Sequence, residues 1–117
     1  MQTITSISQN LIKLLRNQEF VKAYNDLFSE EAESIDPINP RPEPLKGLSK
    51  LIEAEKLFLS RVEIQSIDIS EAIHAGNYFT IRLSMGFFID GKERNIDELC
   101  VYKVSEGKII SQQFFVS

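Results

Sequence analysis

Two carboxylic acids stand where their side chains could move protons. Glu98 directly precedes the apolar run Leu-Cys-Val-Tyr, and Asp36 directly precedes Pro37 at the end of a strand-like stretch. A carboxyl group that lines a cavity can act as a general acid or base, which contributes about 10²–10⁴-fold in rate. Asp-Pro also favours a turn, so a loop-forming role for Asp36 is the alternative. The residue types predict acid–base chemistry at Glu98 and Asp36.

The sequence lacks the residues that metal binding, disulfide formation or nucleophilic catalysis would need. His74 is the only histidine, so no histidine pair can bind a metal, and we expect neither a metal nor a cofactor. Cys100 is the only cysteine, which excludes an intrachain disulfide and favours an intracellular, cytoplasmic protein. Nothing in the sequence places a base beside that thiol, so it is expected to be a small buried residue. No glycine-rich phosphate loop or Ser-His-Asp set is found.

Length and charge restrict the class of protein further. The chain has 117 residues, a net charge of -4 and 43% hydrophobic residues, which predicts one domain over residues 1–117. Basic residues form no cluster, so a nucleic-acid surface is not expected. No apolar run approaches the roughly 18 residues of a membrane span, and the first residues do not resemble a signal peptide.

The first half of the chain carries three helical stripes. Apolar residues recur at helical spacing over 4–17 and 20–28, and Thr3 or Ser6 could cap the first helix. All four prolines fall within residues 35–46, which predicts a stiff surface loop at the edge of a site. A third stripe opens after Gly47 and consists of Leu48, Leu51, Ile52, Glu55, Phe58 and Leu59.

Strand signals begin at Val62. A change of phase predicts a bulge near residues 65–66, and strict alternation follows over 79–89. Asp90-Gly91 predicts a two-residue hairpin, and residues 105–107 predict a three-residue loop. Because the helices come first and the strands follow, we expect an α+β protein with N-terminal helices packed on an antiparallel sheet.

These two turns predict the pairing of the strands. Leu83 should face Glu98, Glu98 should face Phe114, and Cys100 should face Gln112. The apolar residues then share one face, and Glu98 lies among them. A carboxyl group there has a raised pKa unless it is paired. Gln112 is one pair away and could hydrogen-bond and orient Glu98, or Glu98 could line a cavity that holds water or a ligand.

Two passages carry a family resemblance. The stretch 97–109, which reads DELCVYKVSEGKI and is followed by QQFF, resembles the C-terminal hairpin of SnoaL-like proteins. The stretch 27–37, LFSEEAESIDP, is similar to their Phe-x-x-Asp-Ala-x-x-x-Asp-Pro passage. The resemblance to this superfamily, also called nuclear-transport-factor-2-like (NTF2-like), implies a cone. In that fold a strongly curved sheet is closed by helices over an apolar pocket, and dimers are common.

The resemblance also implies roles for particular residues. Asp36 matches the proton-shuttling Asp of the ketosteroid-isomerase branch, and the oxyanion-binding acid falls near Cys100 or Glu98. The oxyanion-binding Tyr of that branch falls near Ile12, which cannot donate a hydrogen bond. Cyclase relatives often carry Glu where this chain has Gln112. These departures favour ligand binding over catalysis.

The sequence thus predicts a protein that binds a small, largely apolar molecule and possesses Asp36 and Glu98 as acid–base candidates. The reaction would be a cofactor-free isomerisation, cyclisation or dehydration. The alternatives are a non-catalytic binding module and an interaction domain whose pocket is filled by its own side chains. We expect a homodimer. The predicted pocket residues are Tyr24, Phe28, Leu83, Met85, Cys100, Tyr102, Gln112 and Phe114.

Overall fold

The computed structural model describes residues 2–36 and 44–117, which form three helices and seven strands. Of the proline-rich loop, Pro37, Pro40 and Pro42 lie outside the described residues. The elements in chain order are α1 (Ile4–Arg16), α2 (Phe20–Leu27), β1 (Phe28–Ile35), β2 (Leu45–Lys46), α3 (Leu48–Arg61), β3 (Val62–Ile69), β4 (Ile73–Ala75), β5 (Tyr78–Ile89), β6 (Lys92–Ser105) and β7 (Lys108–Val116).

The helices begin and end close to the predicted positions. Thr3 caps α1, because its side-chain oxygen accepts a hydrogen bond of 3.1 Å from the backbone N–H of Ser6. Helix α3 starts directly after Gly47, whose φ of 100° suits glycine. The prediction was wrong for Phe28, which begins β1 and does not end α2.

The strands form one sheet in the order β2-β1-β7-β6-β5-β3, with β4 paired to β5. The α+β prediction is confirmed, with one difference: the sheet is mixed, because β1 runs parallel to β7. Strand β1 follows α2 directly and reaches β7 without a hairpin, so no short turn imposes an antiparallel direction.

The hairpin of β5 and β6 has the predicted register. Ile89 pairs with Lys92, and Leu83 pairs with Glu98. The two turn residues have positive φ, 52° at Asp90 and 76° at Gly91, as a type I′ turn requires. The bulge predicted in β3 is also confirmed, between Ile64 and Ser66.

The hairpin of β6 and β7 differs from the prediction. Ser105 pairs with Lys108, so the loop has two residues, and a bulge follows between Lys103 and Val104. Each change moves the register by one residue, and together they pair Tyr102 with Gln112. A shift of two keeps each side chain on its predicted face. Between the turn and the bulge the register is moved by only one residue, and there Ile109 is fully buried opposite Val104.

The core lies between the helices and one face of the sheet. The largest of its fully buried hydrophobic side chains come from α1 and from β5, β6 and β7: Ile7, Leu11, Phe79, Ile81, Cys100 and Ile109. The opposite face of the sheet carries the exposed ion pair of Arg82 and Asp97. None of the helices in 2–36 and 44–117 is long and apolar enough to cross a membrane.

Candidate functional site

A cavity of about 1190 Å³ lies between the three helices and the sheet. This volume slightly exceeds the usual range for small-molecule sites, about 300–1,000 Å³. Asp36 and Glu98 both line the cavity, as do seven of the eight predicted pocket residues. Those seven are Tyr24, Phe28, Leu83, Met85, Tyr102, Gln112 and Phe114.

Cys100 was predicted to line the pocket, and this is wrong. Its side chain is fully buried, and it is not among the lining residues. Cys100 pairs with Ile81 of β5 and Phe114 of β7, and both of these side chains are larger. The short side chain of Cys100 therefore does not reach the surface of the cavity. The Cys100 thiol donates a hydrogen bond of 3.6 Å to Oε1 of Glu98. Burial, followed by the charge of Glu98, raises the pKa of the thiol far above its usual value.

Gln112 does not orient Glu98, so that prediction is also wrong. Its Nε2 donates hydrogen bonds to the Tyr24 hydroxyl at 2.8 Å and to Ser34 Oγ at 3.0 Å. The corrected register explains the difference, because Gln112 lies opposite Tyr102 and beside Ser34 of β1. The side chain of Gln112 therefore joins α2, β1 and β7.

This arrangement fixes the direction of the Tyr24 hydrogen bond. The phenol oxygen accepts from Gln112, which leaves the O–H of Tyr24 to donate to another group. Burial, followed by the charge of Glu55, raises the pKa of Tyr24 well above its usual value. The phenol is therefore neutral at any physiological pH and faces the cavity as a donor.

Glu98 is half-buried in the sheet wall of the cavity. Burial raises its pKa to about 7, the Cys100 thiol opposes that change, and the charges of Asp36 and Glu55 add to it. Glu98 is therefore substantially protonated at neutral pH, and the protonated form can donate a hydrogen bond.

Glu55 is the site residue that sequence reasoning missed. It lies on α3, half-buried, and its side chain lines the cavity. Burial, followed by the charge of Asp36, raises its pKa to about 7. Within the described part of the chain it has no hydrogen-bond or ion-pair partner. The signal that could have found it is one acid inside the apolar stripe of α3, between Leu51 and Phe58.

Asp36 follows β1 and lines the cavity from its end. Its charge contributes to the raised pKa of Glu55, Glu98 and Tyr24. Because all three acids line one cavity, the structure brings the predicted pair Asp36 and Glu98 into one electrostatic group with Glu55. Whether they act on a substrate remains a prediction.

The basic residues of the described chain that reach the cavity do so at its exposed side. Among the described lining residues they are Arg61 and Arg94, and both are exposed. Arg61 donates from Nη2 to Asp90 Oδ2 at 3.0 Å, at the tip of the β5–β6 hairpin. In residues 2–36 and 44–117, no three His, Cys, Asp or Glu side chains converge on a possible metal position.

Two other residues singled out by the sequence lie outside the cavity lining. His74 is exposed on β4, where Nε2 lies 3.1 Å from Ser8 Oγ and its ring stacks on Phe79. Ile12, near which the resemblance placed the isomerase tyrosine, is buried in the core.

The arrangement of three helices on a mixed sheet, with a cavity between them, defines an NTF2-like α+β protein. The profile of the SnoaL-like domain family matches residues 2–116. The chain therefore belongs to the SnoaL-like family. No curated protein matches its sequence.

Solved structures show the same fold. A Mesorhizobium loti protein, provisionally assigned as a SnoaL-like polyketide cyclase, has a TM-score of 0.90 at 19% identity, over 97% of this chain and 99% of that one. A Catenulispora acidiphila protein with a ketosteroid isomerase-like fold, in complex with trimethylamine, has a TM-score of 0.74 at 17% identity, over 98% and 88%. An NTF2-like protein of unknown function from Cytophaga hutchinsonii has a TM-score of 0.74 at 14% identity, over 98% and 100%. At these identities the likeness concerns the fold alone.

Proposed function

We propose that the cavity binds a small, largely apolar molecule and catalyses a cofactor-free proton transfer next to a carbonyl group. The observation that carries this proposal is the group of three carboxyl side chains around one apolar cavity. Two of them, Glu55 and Glu98, have a pKa raised to about 7, so protonated Glu98 is available as a hydrogen-bond donor at neutral pH beside the proposed base Asp36. Isomerisation, cyclisation and dehydration all use such a step.

Each polar residue has a distinct part in the proposed reaction. Asp36 removes the proton from the carbon next to the carbonyl, and the electron pair moves to the carbonyl oxygen. Protonated Glu98 and the O–H of Tyr24 donate hydrogen bonds to that oxygen as its negative charge develops. Protonated Asp36 then returns the proton to a carbon of the enolate, and the carbonyl is restored.

Tyr24 supports this assignment because it supplies the donor that the Ile12 position lacks. Its O–H is directed by the hydrogen bond that its oxygen accepts from Gln112. A donor that is oriented before the substrate arrives needs no reorganisation in the transition state.

Exchange of deuterium into an enolisable ketone tests the proposal. Cyclohexanone in D₂O, followed by NMR, is expected to exchange faster with the protein than without it. Asp36→Asn should reduce the catalysed rate by about 10²–10⁴-fold. Asp26→Asn, on the exposed side of α2, is the matched control and should change nothing.

A non-catalytic binding module is the alternative, and the isoleucine at position 12 is the observation that favours it. A ketone that binds in the cavity but exchanges no faster than in buffer would support this alternative. Exchange that persists in Asp36→Asn would instead contradict the assigned base.

We also propose that the protein forms a homodimer through the outer face of the sheet. Leu99 and Phe115 pair across β6 and β7 on that face and are about half exposed, at 50% and 51%. Leu99→Lys should convert the dimer to a monomer in light scattering, and a monomeric parent protein would contradict the proposal.

A further inference from the structure

We infer that the molecule bound in the cavity carries a protonated amine, and that Glu55 is the residue that receives it. This inference rests on the proposed binding function and adds the chemical class of the ligand. Glu55 has no part in the proton transfer proposed above, yet its side chain faces the same space.

The charges around the cavity favour a cation. Asp36, Glu55 and Glu98 line it, and the basic lining residues of the described chain are exposed at its edge. Arg61 is already paired with Asp90. A ligand with its own carboxylate or phosphate would bring a further negative charge beside the carboxylate of Glu55, which is unfavourable. A positive group would instead favour the ionised form of Glu55, which burial and the charge of Asp36 disfavour.

A metal ion is a poor candidate for that positive group. The acids of residues 2–36 and 44–117 do not converge as metal ligands do. They are distributed over α3, the end of β1 and β6. A wall made of separate acids and apolar surface suits an organic cation with an apolar body.

Aromatic rings line the same cavity as the carboxyl groups. Tyr24 and Phe28 have ring centroids 4.7 Å apart, and Phe28 meets Tyr102 edge-on at 6.3 Å. Phe58 follows Glu55 by three residues on α3 and packs edge-on against Phe87 at 5.6 Å. All five rings line the cavity. Aromatic faces attract ammonium groups, so the cavity offers both a countercharge and a cation–π surface.

The groups that face Glu55 determine how binding depends on pH. They are Tyr24 from α2, Asp36 after β1 and Glu98 from β6, with Arg61 and Arg94 at the exposed side. A cation favours the ionised form of Glu55, so binding near pH 6 should release a proton. Amine affinity should therefore rise between pH 6 and pH 8.

Three probes of one shape test the inference by titration calorimetry: cyclohexylmethylamine, cyclohexylmethanol and cyclohexanecarboxylate. At pH 7 the amine should bind roughly tenfold more tightly than the alcohol, and the carboxylate should bind most weakly. Glu55→Gln should remove the preference for the amine without weakening the alcohol. Glu53→Gln, on the exposed side of the same helix, is the matched control and should behave as the parent.

The outcomes separate the two proposals. Equal binding of amine and alcohol would overturn the inference and leave the binding function intact. A preference for the amine that survives in Glu55→Gln would also overturn it. Absence of binding by all three probes would contradict the binding function and the inference together. Buffer-dependent heats at pH 6 that vanish in Glu55→Gln would identify the released proton as that of Glu55.

Discussion

Gln112 donates a hydrogen bond from Nε2 to the hydroxyl of Tyr24 at 2.8 Å, although the two residues are 88 positions apart. Gln112 is buried, and the same nitrogen also donates to Ser34. One amide group thus holds the last strand against α2 and β1. It also fixes the direction in which Tyr24 offers its proton to the cavity.

A double-mutant cycle with Tyr24→Phe and Gln112→Leu is expected to give a coupling energy of about 0.5–1.5 kcal/mol in urea unfolding. Gln112→Leu alone should destabilise the protein by about 1–3 kcal/mol, because it leaves buried hydroxyl groups without a donor. Additive effects of the two substitutions would mean that the hydrogen bond contributes nothing to stability.

Glu55 should make the free energy of unfolding decrease with rising pH. Its pKa is 4.5 in the reference state and about 7 in the folded protein, so between these values the folded state binds more protons than the unfolded state. The contribution of Glu55 to the free energy of unfolding is therefore most favourable below about pH 4.5. This contribution decreases as the pH rises to about 7 and then stays constant.

Glu55→Gln should remove this loss. We expect the variant to exceed the parent by about 1–3 kcal/mol at pH 8 and to match it near pH 4, in urea titrations at both values. Glu53→Gln is the control for a lost surface charge. A Glu55→Gln variant with the same stability difference at both pH values would contradict the raised pKa.

Cys100 should be unreactive in the folded protein. The side chain is fully buried, and burial raises the pKa of the thiol, so the reactive thiolate is scarce. Labelling with Ellman's reagent at pH 8 is expected to proceed only as fast as the protein opens, and to reach one thiol per chain in urea. Rapid labelling without denaturant would show that the region around Glu98 is open to solvent.

Gly86 lies in β5 beside the bulge of β3, and there is little space for a side chain at this position. A Cβ atom there would lie 2.9 Å from Ser66 Oγ and 3.1 Å from Asn95 Oδ1. We expect Gly86→Ala to destabilise the protein by about 1 kcal/mol through this crowding. Adding Ser66→Ala should restore part of the loss, measured by thermal unfolding. A more stable Gly86→Ala variant would mean that the neighbouring side chains move away freely.

The sequence was sufficient to predict the strand register where the residues of a turn determine the turn geometry. Asp90-Gly91 has the positive φ values of its turn type, so every pair of β5 and β6 follows from it. At the next hairpin, Ser105-Glu106-Gly107 resembles a longer loop. Glu106 takes a φ of 51°, a conformation that favours Gly, Asn or Asp, so its residue type does not indicate the two-residue turn. The bulge at Val104 carries no local signal either.

The site was harder to predict because its residues come from distant parts of the chain. Asp36 and Glu98 could be selected by residue type, and both line the cavity. Glu55 is the one acid in the apolar stripe of α3, but its place in the cavity depends on how that helix packs on the sheet. The partners of Gln112 depend on the parallel pairing of β1 with β7, which no turn in the sequence specifies.

That parallel pairing has a consequence for how the chain acquires its shape. Ser34 and Gln112 meet across β1 and β7 although 78 positions separate them, so β1 has its neighbour in the sheet only after β7 has been made. Contacts of such long range slow folding, because the connecting loop must close before any of them forms. On the ribosome, the early helices and β1 must therefore wait for nearly the whole domain to emerge. During that interval their apolar surfaces are the part of the protein that a chaperone would meet.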